Sequence, residues 1–137
     1  MKILFTQDGS TSVVNPSPLY KGSLEALAAK VVPEGVDYQI VPDDVIPTDR
    51  TFRDAWATGE GEVSIDMTKA KDIAHGKRRA ARDIEFKPYD LEVTIPDKAV
   101  AAEAMRSTIR TKYSYLQTSM DAATTPDELK ALLPEGV

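Results

Sequence analysis

The chain has 137 residues, 42% of them hydrophobic and 28% charged, a balance typical of a globular protein and unlike that of a disordered chain. Its formal net charge of -5 opposes a general role in binding nucleic acid, because neutralising phosphates requires an excess of Lys and Arg. It contains no cysteine, which excludes disulfides, thiol catalysis and thiolate metal sites and fits a reducing cytoplasm.

The N-terminal residues predict a small ββαβ unit. Apolar and polar residues over 2–14 suit a hairpin around Asp8-Gly9-Ser10, since Asp-Gly between apolar runs favours a tight turn. A helix capped by Ser23 ends at the Pro-Glu-Gly stop of residues 33–35, and a strand over 36–41 follows. Three strands and one helix leave strand edges uncovered, so we expect this unit to pack against more of the chain or against a second protein.

Phe52 and Trp56, the only tryptophan, follow an opening of Pro47-Thr48-Asp49-Arg50. Polar residues in this opening can cap a short helix, on which rings four residues apart lie on the same side. Rings of this size must be covered, so the segment is predicted to be a packing anchor. Phe52 is expected in the core. For Trp56, core packing and partner contact both remain open, because the adjacent Arg50 and Arg53 are typical of interfaces.

The second half of the chain reads as helical. A brief extended stretch over 62–65 leads to Asp66, which can cap a helix from residue 67 to about residue 85. Pro88 is expected to interrupt that helix. Residues 91–95 alternate apolar and polar side chains, which predicts a short strand or extended arm after the interruption.

The longest periodic segment runs from residue 97 to about 122, with apolar residues at three- and four-residue intervals along one side. This amphipathic helix should pack against the helix before it. Thr125 as a cap and Pro126 at the first helical position predict a last short helix. The predicted fold class is therefore α+β. We expect a ββαβ unit with an aromatic helix at residues 1–61 and a helical hairpin region at residues 62–137. The two are expected to form one compact unit.

Few residues suggest binding or chemistry. One helical stripe carries four basic side chains: Lys71, His75, Arg78 and Arg82. Such a stripe can bind an acidic protein partner or a phosphate backbone. It can also be a solvated helix face whose charge is balanced by acids elsewhere, and we prefer this second interpretation. His75, the only histidine, has no metal ligands or acid–base partner at suitable spacing. Asp43-Asp44 suits caps and turns better than catalysis or calcium. We therefore expect no catalytic residue, metal or cofactor.

One segment resembles a known group of proteins. Residues 46–56 read Ile-Pro-Thr-Asp-Arg-Thr-Phe-Arg-Asp-Ala-Trp, and runs at 65–71 and 78–82 follow in the same order. Over roughly residues 33–122 this pattern resembles a group of small tailed-bacteriophage proteins encoded among tail and tail-fibre genes. The group usually has an acidic residue after the tryptophan, where this chain has Ala57.

The resemblance implies a component of the phage tail region or virion, and it carries no catalytic residues across. The expected function is a non-enzymatic structural protein, made in the bacterial host cytoplasm, located in the virion and multi-copy or oligomeric there. It would bind neighbouring tail, fibre or head–tail proteins through its aromatic segment, strand edges and long helix. The candidate partner-binding residues are Arg50, Phe52, Arg53, Trp56, Lys71, Arg78 and Arg82.

Two alternatives stay open at this stage. One is a tail-fibre assembly chaperone, and the other is a small nucleic-acid-binding regulator that uses Lys71, Arg78 and Arg82. No contact with a membrane is expected, since no apolar run approaches the roughly 20 residues that span a bilayer and the N-terminal residues turn polar too early for a signal peptide.

Overall fold

A computed structural model describes every residue from Met1 to Val137. It confirms the α+β fold class, with antiparallel strands and a short helix first and long helices afterwards. Contacts within the chain divide it into two compact units, Met1–Asp66 and Met67–Val137.

The first hairpin joins β1 (Lys2–Gln7) to β2 (Ser10–Val14), as predicted. The register runs from Ile3 opposite Val14 to Gln7 opposite Ser10. Asp8 and Gly9 have φ angles of 51° and 75°, the left-handed pair that a two-residue turn between twisted strands requires.

The rest of the predicted ββαβ unit is also confirmed. Helix α1 (Leu24–Val31) begins after Ser23, whose Oγ accepts a hydrogen bond from the amide of Ala26 at 3.1 Å. Strand β3 (Tyr38–Val41) then pairs antiparallel with β1 on the side opposite β2, giving the sheet order β2-β1-β3.

The predicted helix carrying Phe52 and Trp56 is wrong. Only Arg53–Ala55 forms a 3₁₀ turn, and Trp56 begins strand β4 (Trp56–Gly59), which pairs with β5 (Glu62–Ile65). A helix of a few residues has a high nucleation cost. The left-handed Glu60-Gly61 pair instead closes a hairpin, in which the backbone groups of two strands hydrogen-bond to each other. The extended stretch predicted over residues 62–65 is this second hairpin's returning strand.

The second hairpin lies on one face of the three-stranded sheet. Three hydrogen bonds hold it there: Thr6 to Thr58 between hydroxyls at 2.8 Å, Thr11 Oγ1 to the carbonyl of Trp56 at 2.8 Å, and the amide of Gly61 to Gln39 Oε1 at 2.9 Å. The register places Thr6, Thr11 and Gln39 on the same face of the sheet, because residues paired across antiparallel strands share a face. The N-terminal unit therefore covers this face with its own chain.

Helix α2 (Met67–Glu92) is longer than predicted, and the strand predicted over residues 91–95 is wrong. The helix passes through Pro88 instead of stopping before it. Pro88 has no N–H, so the carbonyl of Ile84 loses its hydrogen bond within the helix. Both residues lie exposed, and water can therefore hydrogen-bond to this carbonyl oxygen. The helix then continues to Glu92 while side chains near its end contact the next helix.

Helix α3 (Ala99–Ala122) packs antiparallel to α2, as the predicted helical hairpin requires. Contacts of Arg106 with Asp90, Lys112 with Glu85 and Asp121 with His75 run in opposite chain directions along the pair. Its buried side is Ala102, Ile109, Tyr113 and Met120. Helix α4 (Pro126–Ala131) contacts α2, and the Oγ1 of its cap, Thr125, accepts from the amide of Glu128, as predicted.

Candidate functional site

Four of the residues expected to bind partners form one cluster in the N-terminal unit. Phe52 and Trp56 are 3% and 2% exposed, so both rings are buried within this chain. The guanidinium of Arg53 lies 4.4 Å from the centre of the Trp56 ring, that of Arg50 lies 5.9 Å from it, and Arg53 Nη2 donates to the carbonyl of Thr11 at 2.7 Å. The cluster is a packing anchor for this unit, and partner binding by these residues stays a prediction.

The indole nitrogen of Trp56 is buried without a hydrogen-bond acceptor. A buried N–H without an acceptor loses its hydration, so this nitrogen opposes folding while the rest of the ring favours it. The backbone carbonyl of Trp56, in contrast, accepts a hydrogen bond from the hydroxyl of Thr11. Trp56 therefore contributes through its apolar area and its contacts with two arginines.

The basic stripe of α2 does not form a free cationic surface. Lys71 Nζ donates to the carbonyl of Asp121 at 2.8 Å, in the last turn of α3, where backbone carbonyls attract cations. His75 Nε2 lies 2.8 Å from Asp121 Oδ1, and Arg78 Nε donates to His75 Nδ1 at 3.2 Å. Lys71 and His75 thus join α2 to the end of α3, Arg78 bonds to His75 within α2, and Arg82 lies apart from them.

Arg78 is 8% exposed, which is rare for an arginine. Burial, helped by the charges of Arg79 and Arg82, holds its pKa below the usual value. Because Arg78 donates to Nδ1 of His75, that nitrogen is an acceptor, and the ring proton belongs on Nε2, facing Asp121. One ring nitrogen of His75 therefore contacts α3, and the other contacts Arg78 within α2.

A second polar cluster joins α2 to α3 at Glu85. Its Oε1 accepts from Lys112 Nζ at 2.6 Å and from the hydroxyl of Tyr113 at 2.8 Å. These two hydrogen bonds, led by that of Lys112, lower the pKa of Glu85, whereas burial and Glu85 raise the pKa of Tyr113. The cluster lies in a groove of about 600 Å³ whose apolar wall includes Leu116.

Sequence reasoning missed this cluster because its members are 27 and 28 residues apart. A signal was present, since the antiparallel hairpin that the sequence predicts brings the middle of one helix opposite the middle of the other. Tyr113 also lies four residues after Ile109, on the apolar period of the second long helix.

We expect Glu85→Gln to lower the free energy of unfolding by about 0.5 to 1 kcal/mol at neutral pH, a small effect because the Glu85 and Lys112 side chains are 36% and 56% exposed. A lowered pKa in the folded state means that the carboxylate stabilises the fold above its unfolded pKa, near 4.5, and loses this effect as pH falls through the folded pKa. Urea unfolding of both forms checks this. A difference between them that stays constant into acid would contradict it.

An exposed apolar surface of the helical unit lies where α2 turns into α3. A hollow of about 600 Å³ there is lined by Val93, Ala99, Val100 and Ala104, which we call the tip patch, and by the polar residues Glu103, Ser107 and Arg110. Val100 is 86% exposed, and Leu91, in the last turn of α2, is 69% exposed. Apolar residues grouped on the surface, especially beside polar ones, mark interaction sites more often than scattered single residues do. The sequence predicted an extended arm here, which hid the patch.

No group of three or more His, Cys, Asp or Glu side chains in the chain is placed to hold a metal ion. None of the helices combines the length and apolar character needed to cross a membrane. Comparison of the chain with models of protein families, with curated proteins and with solved structures gives no significant match.

Proposed function

We propose that this chain is a non-enzymatic structural protein of a tailed bacteriophage, located in the tail region or elsewhere in the virion, that binds neighbouring virion subunits. The observation that carries this proposal is the tip patch, a group of exposed apolar side chains at the turn of the α2–α3 hairpin. The resemblance of residues 46–56 to small phage proteins encoded near tail genes supplies the setting.

The tip patch suits a docking surface because of the energy available there. Burying one Val or Leu side chain stabilises a complex by about 1.5 to 3 kcal/mol relative to leaving it in water. Val100 of the tip patch is 86% exposed in the isolated chain, so most of this energy is available to a partner that covers it. A rigid helical hairpin also presents the patch without a large ordering cost on binding.

The contacts of the ionisable side chains favour a binding role over chemistry. His75 with Asp121 holds α2 to α3, and Glu85 with Lys112 does so farther along the pair. Since Lys71 and Arg78 are also engaged inside this hairpin, two of the three cations suggested for a nucleic-acid regulator are directed at the protein itself. A protein partner is therefore the better supported one.

Quantitative mass spectrometry of purified phage particles tests the proposal. A structural protein should be present in many copies per particle and should remain after stringent washing. Abundance in the infected cell with almost none in the particle would contradict the proposal and favour a tail-fibre assembly chaperone. Retention of the pure chain on DNA at low salt, lost as salt rises, would favour the regulator.

We expect Val100→Asp to prevent incorporation of the chain into particles while its free energy of unfolding changes by no more than about 0.5 kcal/mol, because the side chain is on the surface. Complementation of a phage lacking the gene measures this. Leu19→Asp is a matched control, since Leu19 is also 86% exposed but lies in the N-terminal unit. Normal incorporation of Val100→Asp, or equal loss with Leu19→Asp, would contradict docking through the tip patch.

A further inference from the structure

A second concave surface of the helical unit is basic. Between α2 and α3 lies a cleft of about 520 Å³ that we call the basic cleft. Four cations line it, two from each helix, and they exceed the two carboxylates that also line it. The cations are Arg82, Lys87, Arg106 and Arg110, and the carboxylates are Asp83 and Asp90.

The two walls of the basic cleft differ in how their charges are satisfied. On α3, Arg106 pairs with Asp90 at 2.9 Å and with Glu103 at 2.8 Å, and Arg110 also pairs with Glu103. On α2, Arg82 and Lys87 have neither a hydrogen bond nor an ion pair in the structure. The unsatisfied positive charge of the cleft therefore lies on α2.

Arg82 is also held in place. Its guanidinium lies 4.7 Å from the centre of the Phe86 ring, one helical turn along α2, and that ring is 9% exposed. This contact holds the guanidinium at the ring, and no hydrogen bond within the chain uses its N–H groups. A planar fork of donors with no acceptor is suited to a carboxylate, which can accept two parallel hydrogen bonds from it.

We propose that the basic cleft binds carboxylate side chains in an acidic segment of another polypeptide, with Arg82 and Lys87 as the residues that receive them. This site does not rest on the virion assignment, because anion binding is a property of the isolated chain. The proposed receiving residues lie on α2, and the cleft shares only Arg110 with the hollow at the tip patch. Asp83 and Asp90 in the cleft disfavour the unbroken charge of a nucleic-acid backbone. A peptide with spaced carboxylates can avoid both of them.

A fluorescent short polyglutamate peptide is the probe, and anisotropy with the full chain at low salt is the measurement. We expect binding that weakens as salt rises, and binding at least about tenfold weaker for the double variant Arg82→Met, Lys87→Ala. Methionine keeps an unbranched apolar chain over Phe86, so the fold should be retained, and thermal unfolding by circular dichroism checks that. The control Arg79→Ala, Lys98→Ala removes two cations outside the cleft and should bind like the unaltered chain.

Each other outcome overturns the proposal. Absence of peptide binding at low salt does so, and so does equal weakening by the control variant, which would show only general attraction to positive charge. Preference for a single-stranded DNA oligonucleotide or for inorganic phosphate over the peptide would assign the cleft to phosphate instead. None of these results bears on whether the chain is present in virions.

Discussion

Trp56→Ala should lower the free energy of unfolding by about 3 to 5 kcal/mol, the largest effect that we expect from any single substitution in the N-terminal unit. The ring is 2% exposed, so its removal loses apolar burial and leaves a cavity. It also removes the surface over which Arg53 stacks at 4.4 Å. A loss of this size is a large part of the total stability of an ordinary domain.

The measurement must separate the two units, because a chain with two compact units need not unfold in a single step. Hydrogen exchange followed by mass spectrometry across a urea series does this when it is read on peptides from residues 1–66. Trp56→Phe is the matched control. The indole nitrogen has no acceptor, so phenylalanine removes no hydrogen bond and should cost clearly less than alanine. Unchanged protection in Trp56→Ala would show that the ring is not a core residue.

Tyr113→Ala should cost the helical unit about 3 to 5 kcal/mol for the same physical reason. Tyr113 is 2% exposed and belongs to the buried cluster between α2 and α3, with Ala81, Phe86 and Ile109. Removing its ring opens a cavity at the centre of the hairpin. Peptides from residues 67–137 should lose protection from exchange at lower urea concentration.

Tyr113→Phe separates packing from hydrogen bonding at this position. The ring stays, and only the 2.8 Å hydrogen bond to Glu85 is removed, so a cost of about 1 to 2 kcal/mol is expected. Equal costs for alanine and phenylalanine would mean that the hydroxyl, and not the ring, stabilises the hairpin. No loss with alanine would contradict the packing of α3 against α2 described above.

Much of the fold was predictable because local signals agreed with the final structure. Asp8-Gly9 specified the first hairpin, and Ser23 and Thr125 specified helix starts. The period of the second long helix specified its buried side from Ile109 onward, but Ala101 and Met105, predicted on that side, are exposed and Ala102 is buried instead. Each of these signals acts within a few residues of chain. Such signals can be interpreted without knowing which distant residues pack against the segment.

The two errors arose where contacts distant in sequence decide the structure. The spacing of Phe52 and Trp56 suits a helix, but the carbonyl of Trp56 bonds to Thr11, which is 45 residues away. The alternation over residues 91–95 suits a strand, but no neighbouring strand exists there to pair with it, and α2 continues to Glu92 instead. A single sequence does not reveal such partners.

The candidate sites were less predictable than the fold. The sequence indicated a basic stripe, yet Lys71 bonds to the end of α3, Arg78 is buried and bonds to His75, and Arg82 lines a different surface. Residues four apart share one side of a helix, but which side faces a neighbouring helix depends on the whole hairpin. The tip patch and the basic cleft both form only when the hairpin does.

Site-specific photo-crosslinking in cells infected with the phage that encodes this chain tests the central claim most directly. A photoreactive amino acid at Val100 should form a covalent adduct with another virion protein, or with a second copy of the chain, that is recovered in purified particles. The same amino acid at the equally exposed Leu19 should not give that adduct. Particles that contain no adduct from position 100, or that contain no copies of the chain, would contradict docking of this protein on virion neighbours through the tip patch.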